Sequence, residues 1–93
     1  MNIKYSPISE PVSYKIDGEI IYIKARDEVR KIDFSKVPNG KLVSMIDYLS
    51  EVERVDGELT VTLRQPLDKE GKELPAMDDF DTSEAEEINY EWK

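Results

Sequence analysis

Cysteine and histidine are both absent from this sequence of 93 residues. Without them the chain cannot form disulfides, Cys/His zinc sites or haem ligation, and it has no cysteine nucleophile and no histidine-dependent triad. Long apolar runs are also missing, since the longest span only a few residues, as at positions 20–23. A membrane-spanning helix needs about 20 apolar residues, so we expect a soluble chain with no transmembrane helix and no signal peptide.

Basic residues are scarce in the second half of the chain. Residues 1–50 hold eight Lys or Arg against seven Asp or Glu, whereas residues 51–93 hold five against fourteen, and the net charge is −8. The acidity peaks over residues 78–87, where six carboxylates fall within ten residues. So charged a stretch offers little apolar surface to offset the entropy that is lost on ordering. We therefore predict an acidic, partly flexible C-terminal arm over residues 65–93.

The same charge balance restricts the partners. Binding to nucleic acid depends on Lys and Arg displacing counterions from phosphates, and an anionic membrane surface repels carboxylates. The sequence therefore predicts neither a nucleic-acid partner nor a membrane partner. Another protein, or a second copy of this chain, remains allowed.

Two segments have the signature of β-hairpins. Residues 12–16 alternate between apolar and polar side chains, and Asp17-Gly18 separates them from a β-branched run over residues 20–24. Asp-Gly favours a type I′ turn, which requires a positive φ at both central residues. A third run over residues 29–34 follows after a few charged residues, so we expect it to continue the pair as an antiparallel meander.

The second hairpin has the cleaner alternation. Asp56-Gly57 precedes a run in which Leu59, Val61 and Leu63 alternate with Thr and Arg. A strand places alternate side chains on one face, so these three aliphatic residues are expected to point into the core.

Residues 41–50 follow a different period. Apolar residues at the spacing i, i+3, i+4 and i+7 line one face of a helix, which predicts a short helix here. Val43 and Tyr48 interrupt the polar face of such a helix, so an irregular crossover or a bent strand is the alternative. The four positions with helical spacing are Leu42, Met45, Ile46 and Leu49.

Together these segments predict a mainly β (α+β) fold. It consists of a small antiparallel meander of two Asp-Gly hairpins plus a third strand, with one short helix. A single β-rich domain over residues 1–64 is followed by the acidic arm over residues 65–93, since a chain of this length forms one core.

Carboxylates are numerous enough for an acid/base pair to be considered. Such a pair needs carboxyl groups about 5–9.5 Å apart in a cleft, and the richest cluster lies where little can be buried. An EF-hand loop counted from Asp78 has Ser83 where the glycine belongs and Asn89 where the glutamate belongs. The sequence therefore predicts no catalytic residue, no metal site and no cofactor, with an enzyme that has a pocket of buried carboxylates as the weaker alternative.

The last apolar segment contains Tyr90 and Trp92, the latter being the sole tryptophan. An aromatic segment of this kind docks on its own core or on a partner. We predict that the two rings, together with the carboxylates of Asp78, Asp79 and Asp81, form the interaction residues of the chain.

Several short motifs resemble those of small uncharacterised proteins encoded by tailed phages and prophages. In that group a strand ending in Asp-Phe-Ser/Thr leads to Pro-Asp/Asn-Gly, and a second hairpin precedes an acidic C-terminus with a tryptophan. The group carries a Pro-containing stretch before the second hairpin, whereas residues 41–50 here have no proline. The resemblance implies a tail-module or accessory role with no catalytic residues. The matching motifs are Asp33-Phe34-Ser35, Pro38-Asn39-Gly40 and Glu91-Trp92.

We therefore expect a non-enzymatic, phage-encoded structural or protein-interaction module associated with tail genes. Its expected location is the host cytoplasm or the virion, and its expected partner is a tail component or the chain itself. The alternative is an acidic DNA-mimic inhibitor of a host nucleic-acid-binding protein, which requires carboxylates rigidly arrayed on a folded surface.

Overall fold

The protein is built from β-strands, which confirms the predicted β-rich fold. A computed structural model describes all residues 1–93. No helix long and apolar enough to cross a membrane is present. The strands are β1 (Asn2–Ile8), β2 (Ser13–Asp17), β3 (Ile20–Ala25), β4 (Glu28–Asp33), β5 (Gly40–Lys41), β6 (Leu49–Val55), β7 (Glu58–Pro66) and β8 (Glu86–Glu87).

The strands form two mixed sheets. Sheet A has the order β1-β7-β6-β5 and sheet B the order β2-β3-β4-β8. Strand β1 pairs in parallel with β7, and β8 pairs in parallel with β4, whereas the other neighbours are antiparallel. The predicted single antiparallel meander is therefore wrong. Strands β2 to β4 do form a meander, but β6 and β7 belong to a second sheet, which residues near the N-terminus complete.

One hydrophobic core lies between the two sheets. Alternation along β7 buries Leu59, Val61 and Leu63 almost completely, and Ile21 and Ile32 of sheet B are equally buried. Because residues of both sheets belong to the same cluster, the sheets pack face to face as a sandwich. The cluster consists of Val12, Tyr14, Ile21, Ile23, Ile32, Phe34, Leu49, Val52, Leu59, Val61, Leu63 and Ala76.

The turns of the two Asp-Gly segments differ. Between β6 and β7, Asp56 and Gly57 both have a positive φ (51° and 82°), which is the type I′ pattern. Between β2 and β3, Asp17 pairs with Ile20, so the turn residues are Gly18 and Glu19. Only Gly18 has a positive φ (61°). The type I′ turn predicted on Asp17-Gly18 is wrong, because a turn shifted by one residue with glycine first fits the type II′ geometry.

The helix predicted over residues 41–50 is wrong. Lys41 belongs to β5, Leu42 forms a β-bridge with Trp92, and Ile46 forms a bridge with Leu49. Met45, which the helical spacing places on the buried face, is fully exposed. A helix of ten residues is marginal on its own, so backbone pairing with residues near the C-terminus prevails. This corresponds to the predicted alternative of an irregular crossover.

Arg54 ties the sheets together at one end of the sandwich. Its guanidinium, on β6, donates to both carboxylate oxygens of Glu19 in the β2–β3 turn (3.2 and 2.8 Å). It also donates to the carbonyl oxygens of Phe34 (2.9 Å) and Gly57 (2.8 Å). The planar fork of arginine suits such a two-oxygen contact. One side chain thereby joins sheet A to the turn of sheet B.

Tyr14 ties the sheets together at the other end. The residue lies on β2 and is fully buried. Its hydroxyl donates to the Tyr48 carbonyl (2.5 Å) and accepts from the Arg64 amide (3.0 Å). Since Leu49 pairs with Leu63, Tyr48 and Arg64 lie opposite each other next to that pair. A hydroxyl of sheet B thus takes the place of a direct backbone hydrogen bond in sheet A.

We expect Tyr14→Phe to lower the free energy of unfolding by about 1–3 kcal/mol, because an amide and a carbonyl lose their common partner. Chemical denaturation at neutral pH measures this loss. Tyr22→Phe is the matched control, since its half-buried side chain lies on the outer face of sheet B. An equal loss for both variants would contradict the role assigned to the Tyr14 hydroxyl.

The raised pKa of Tyr14 predicts a loss of folding stability at alkaline pH. Burial raises the pKa of Tyr14 from 10.0 to about 12. The unfolded chain therefore releases this proton at lower pH than the folded chain, so the contribution of Tyr14 is present below pH 10 and is lost as pH rises towards 12. Urea denaturation across this interval should show a steeper fall for the wild type than for Tyr14→Phe. Parallel curves would contradict the assignment.

Candidate interaction surface

The two aromatic residues predicted to bind a partner pack on the protein itself. The Tyr90 ring lies 5.0 Å from Phe34 and the Trp92 ring 5.9 Å from Phe34, measured between ring centroids. The Tyr90 hydroxyl donates to the Asp33 carbonyl (2.5 Å), and Trp92 Nε1 donates to the Pro38 carbonyl (2.9 Å). Both side chains are half-buried. Their polar atoms are thus already paired within the chain, and a role in partner binding stays a prediction.

The segment that carries these rings joins the edges of both sheets. Its first part, β8, pairs with β4 of sheet B, and the Ile88 amide donates to the Lys31 carbonyl (2.8 Å). Its last part exchanges backbone hydrogen bonds with the chain at β5 of sheet A, where Lys41 and Lys93 bond in both directions (2.7 and 3.0 Å). A Cβ at Gly40 would collide with the Lys93 carbonyl. One segment therefore covers two sheet edges.

The acidic stretch lies across the outer face of sheet B. Phe80 is buried although carboxylates surround it in the sequence, and Lys24 Nζ lies 5.8 Å from the centroid of its ring. Lys15 Nζ contacts Asp79 Oδ1 at 2.9 Å. The strand register places Lys15 and Lys24 on the face of sheet B that points away from the core. The apolar ring thus anchors a segment whose charge complements the lysines beneath it.

The three predicted aspartates have separate environments. Asp79 is largely exposed (92%) despite its ion pair. The Asp81 carboxylate accepts from the Ser83 amide (3.0 Å), and this hydrogen bond lowers the pKa of Asp81. Asp78 accepts from the amide of Asp79 (2.8 Å). No hydrogen bond or ion pair joins them to Tyr90 or Trp92, and their role as interaction residues stays a prediction. Nowhere do three or more acidic side chains converge as metal ligands.

A second part of the C-terminal half covers the other edge of sheet B. The Tyr14 amide donates to the Ala76 carbonyl (2.8 Å), and the Asp78 amide donates to the Tyr14 carbonyl (3.0 Å). Residues 65–93, predicted as an arm, therefore contact β2, β4 and β5, although their mobility stays a prediction. Short segments of this half thus pair beside β2, β4 and β5.

The longest edge strand of the two sheets is β1. This strand pairs only with β7, and the Ile8 carbonyl accepts from the Leu67 amide (2.9 Å). In a parallel pair, successive residues direct their backbone groups alternately towards and away from the neighbour. Even-numbered residues of β1 therefore bond to β7, whereas the amide and carbonyl groups of Ile3 and Tyr5 point outwards. This edge offers free donors and acceptors to another strand.

Apolar side chains accompany these free backbone groups. Ile3 is paired with Val61 and Tyr5 with Leu63, so both point to the core side of sheet A. Both are nevertheless exposed, by 38% and 46%, as is Met1 by 37%. Sheet B thus leaves this border of sheet A uncovered. The alternation of Met1, Ile3 and Tyr5 with polar residues is a period-two signal from which the sequence could have predicted this strand.

We expect Trp92→Ala to lower the free energy of unfolding by about 2 kcal/mol, since a half-buried ring leaves the contact with Phe34. Denaturation followed by circular dichroism measures this change. Glu91→Ala, at the exposed neighbouring position, is the control and should stay within about 0.5 kcal/mol of the wild type. Unchanged stability of Trp92→Ala would contradict a role of the ring in holding the C-terminal segment.

Comparisons with protein-family models, with curated proteins and with solved structures find no significant match for this chain. The resemblance to tailed-phage proteins therefore stays a prediction. The open edge of sheet A is the feature of the molecule that points to a function.

Proposed function

We propose that this protein is a non-enzymatic protein-interaction module that binds its partner through the edge of β1. A single observation carries the proposal: β1 is a strand of seven residues that pairs on one side only and leaves its outer backbone groups unpaired. Ile3 and Tyr5 then provide free backbone groups and exposed apolar side chains at the same place.

Strand addition is the mode of binding that this edge favours. An extended segment of a partner pairs with the outward amides and carbonyls, and its alternate side chains contact the apolar border of sheet A. Backbone pairing supplies affinity with little sequence selectivity, so Met1, Ile3 and Tyr5 provide the specificity. Lys4 and Pro7 are residues that discourage indiscriminate pairing at an edge, and both lie on β1.

The setting we propose is a tailed phage, with a tail component as the partner. This part of the proposal rests on the resemblance of three short motifs and the acidic C-terminal half to small phage proteins. The host cytoplasm and the virion are both compatible with it. The net charge of −8 disfavours nucleic acid and anionic membranes as partners.

A second candidate function is inhibition of a host nucleic-acid-binding protein by imitation of DNA. The observation in its favour is the anchoring of the acidic stretch, because Phe80 and the Lys15–Asp79 ion pair hold it on sheet B. A mimic needs carboxylates held on a folded surface. In this function the carboxylates of Asp78, Asp79 and Asp81 would contact the partner, and β1 would not.

Affinity capture from phage-infected cells tests both candidates. The full chain, tagged at its C-terminus, is compared with Ile3→Glu, which buries a charge in any strand pairing at β1. Met45→Glu is the matched control, since Met45 is exposed and apolar but lies far from β1 in the sequence. We expect wild type and Met45→Glu to capture the same phage tail protein and Ile3→Glu to lose it by about tenfold or more, which corresponds to at least 1.4 kcal/mol.

Two outcomes would contradict the β1 proposal. One is equal capture of the same protein by wild type and Ile3→Glu when both variants are folded by circular dichroism. The other is capture of a host nuclease or repair enzyme that is lost when Asp78, Asp79 and Asp81 are changed to Asn. The second outcome would support the DNA mimic.

A further inference from the structure

We infer that the strand which pairs with β1 is β1 of a second copy of this chain, in an antiparallel register centred on Ile3. The inference rests on the proposed function, since it takes the open edge as the binding surface, and it names the occupant of this edge in the free protein, which a tail component displaces. Backbone geometry, charge and side-chain placement each favour this occupant.

Charge favours β1 as the place where two copies meet. Each chain carries a net charge of −8, so most approaches bring carboxylates together. Residues 2–8 contain one charged side chain, Lys4, and no carboxylate. Charges separated by more than about 10 Å are largely screened at ordinary salt. Contact at this edge therefore brings no carboxylate of β1 against the other copy.

The free backbone groups are complementary to themselves. With Ile3 opposite Ile3 of the second copy, each Ile3 amide donates to the other copy's Ile3 carbonyl. Each Tyr5 amide then donates to the Met1 carbonyl of the other copy. Antiparallel pairing places such directly opposite residues in a hydrogen-bonded pair. The Pro7 carbonyl already accepts from the Arg64 guanidinium (2.7 Å), which marks the end of the free edge.

Neighbouring registers are less favourable. A pairing centred on Lys4 would place two ammonium groups directly opposite each other, which destabilises a strand pair. A pairing centred on Tyr5 would place Pro7 opposite Ile3, where proline has no amide hydrogen to donate. The register centred on Ile3 instead places Lys4 opposite Asn2, whose side-chain carbonyl can accept from the ammonium group.

The apolar side chains support the same arrangement. A two-fold axis through the pair keeps the core-side faces of both copies of sheet A on one side. Ile3 then lies beside its counterpart, and Tyr5 lies beside Met1 of the other copy. These side chains, exposed by 37–46% in the single chain, would cover one another. The contact is small, so we expect a dissociation constant of about 0.1–1 mM.

Disulfide trapping tests the register, because the chain has no cysteine. In the proposed dimer the two Ile3 Cα atoms lie about 5.5 Å apart, which suits a disulfide. We expect Ile3→Cys to form a covalent dimer ~10-fold faster than Met45→Cys under mild oxidation, since pairing raises the effective thiol concentration. Tyr5→Cys is the control on the same strand, and its two thiols would be too far apart to react.

Sedimentation of the wild type provides a measurement without cysteine. It should show a concentration-dependent dimer that Ile3→Pro abolishes, because proline removes only the outward amide and leaves the pairing with β7. Equal trapping rates at positions 3 and 45, faster trapping at position 5, or a wild type that stays monomeric at 1 mM would each overturn the inference. Loss of tail-protein capture by Ile3→Glu without trapping at position 3 would leave the proposed function standing and reject the second copy as the partner.

Discussion

The hydroxyl of Tyr14 is the contact on which the sandwich depends. It belongs to sheet B, yet it completes the hydrogen bonding of sheet A between the Tyr48 carbonyl and the Arg64 amide. Burial of the ring adds its apolar area to the core, and the hydroxyl fixes how the two sheets face each other. A phenol is well suited to this position, because it is protonated at neutral pH and its hydroxyl both donates and accepts a hydrogen bond. Arg54 and Glu19 provide the corresponding tie at the other end of β6.

The C-terminal half then acts as a cover for sheet edges. Small sandwiches expose many unpaired backbone groups, and such edges invite aggregation. Here residues 76–78 pair beside β2, and residues 86–93 pair beside β4 and β5. The acidic stretch between them is held on sheet B by the ring of Phe80 and by Lys15. Its charge favours solubility, while its backbone completes the fold.

The open edge of β1 differs from the parts of both sheets that the C-terminal half pairs with, and this difference suggests a binding surface. Short segments pair beside β2, β4 and β5, whereas β1 keeps free amides, exposed apolar side chains and almost no charge. Binding by strand addition uses these three properties together. A second copy of the chain can use all three properties, because the free backbone groups of β1 are complementary to those of another β1 when the two strands pair about Ile3.

Local pattern was sufficient for the β-rich character, for the buried face of β7 at Leu59, Val61 and Leu63, and for the positive-φ turn at Asp56-Gly57. Residues adjacent in sequence decide these features, through side-chain alternation and turn geometry. It did not reveal the candidate site, although the alternation of Ile3 and Tyr5 with polar residues was a usable signal. An exposed edge is defined by which strands remain unpaired, and that depends on the whole topology.

The sequence by itself determined the acidic charge, the exclusion of cysteine and histidine chemistry, and the tendency of most segments to form strands. Only the tertiary structure decided that residues 41–50 form no helix, that β1 joins β7 in parallel, and that Phe80 covers sheet B. The physical reason is that these outcomes depend on partners distant in the chain. Residues 41–43 pair with residues 91–93 instead of forming a marginal helix. Phe80 is buried on sheet B although the acidic segment around it locally prefers solvent.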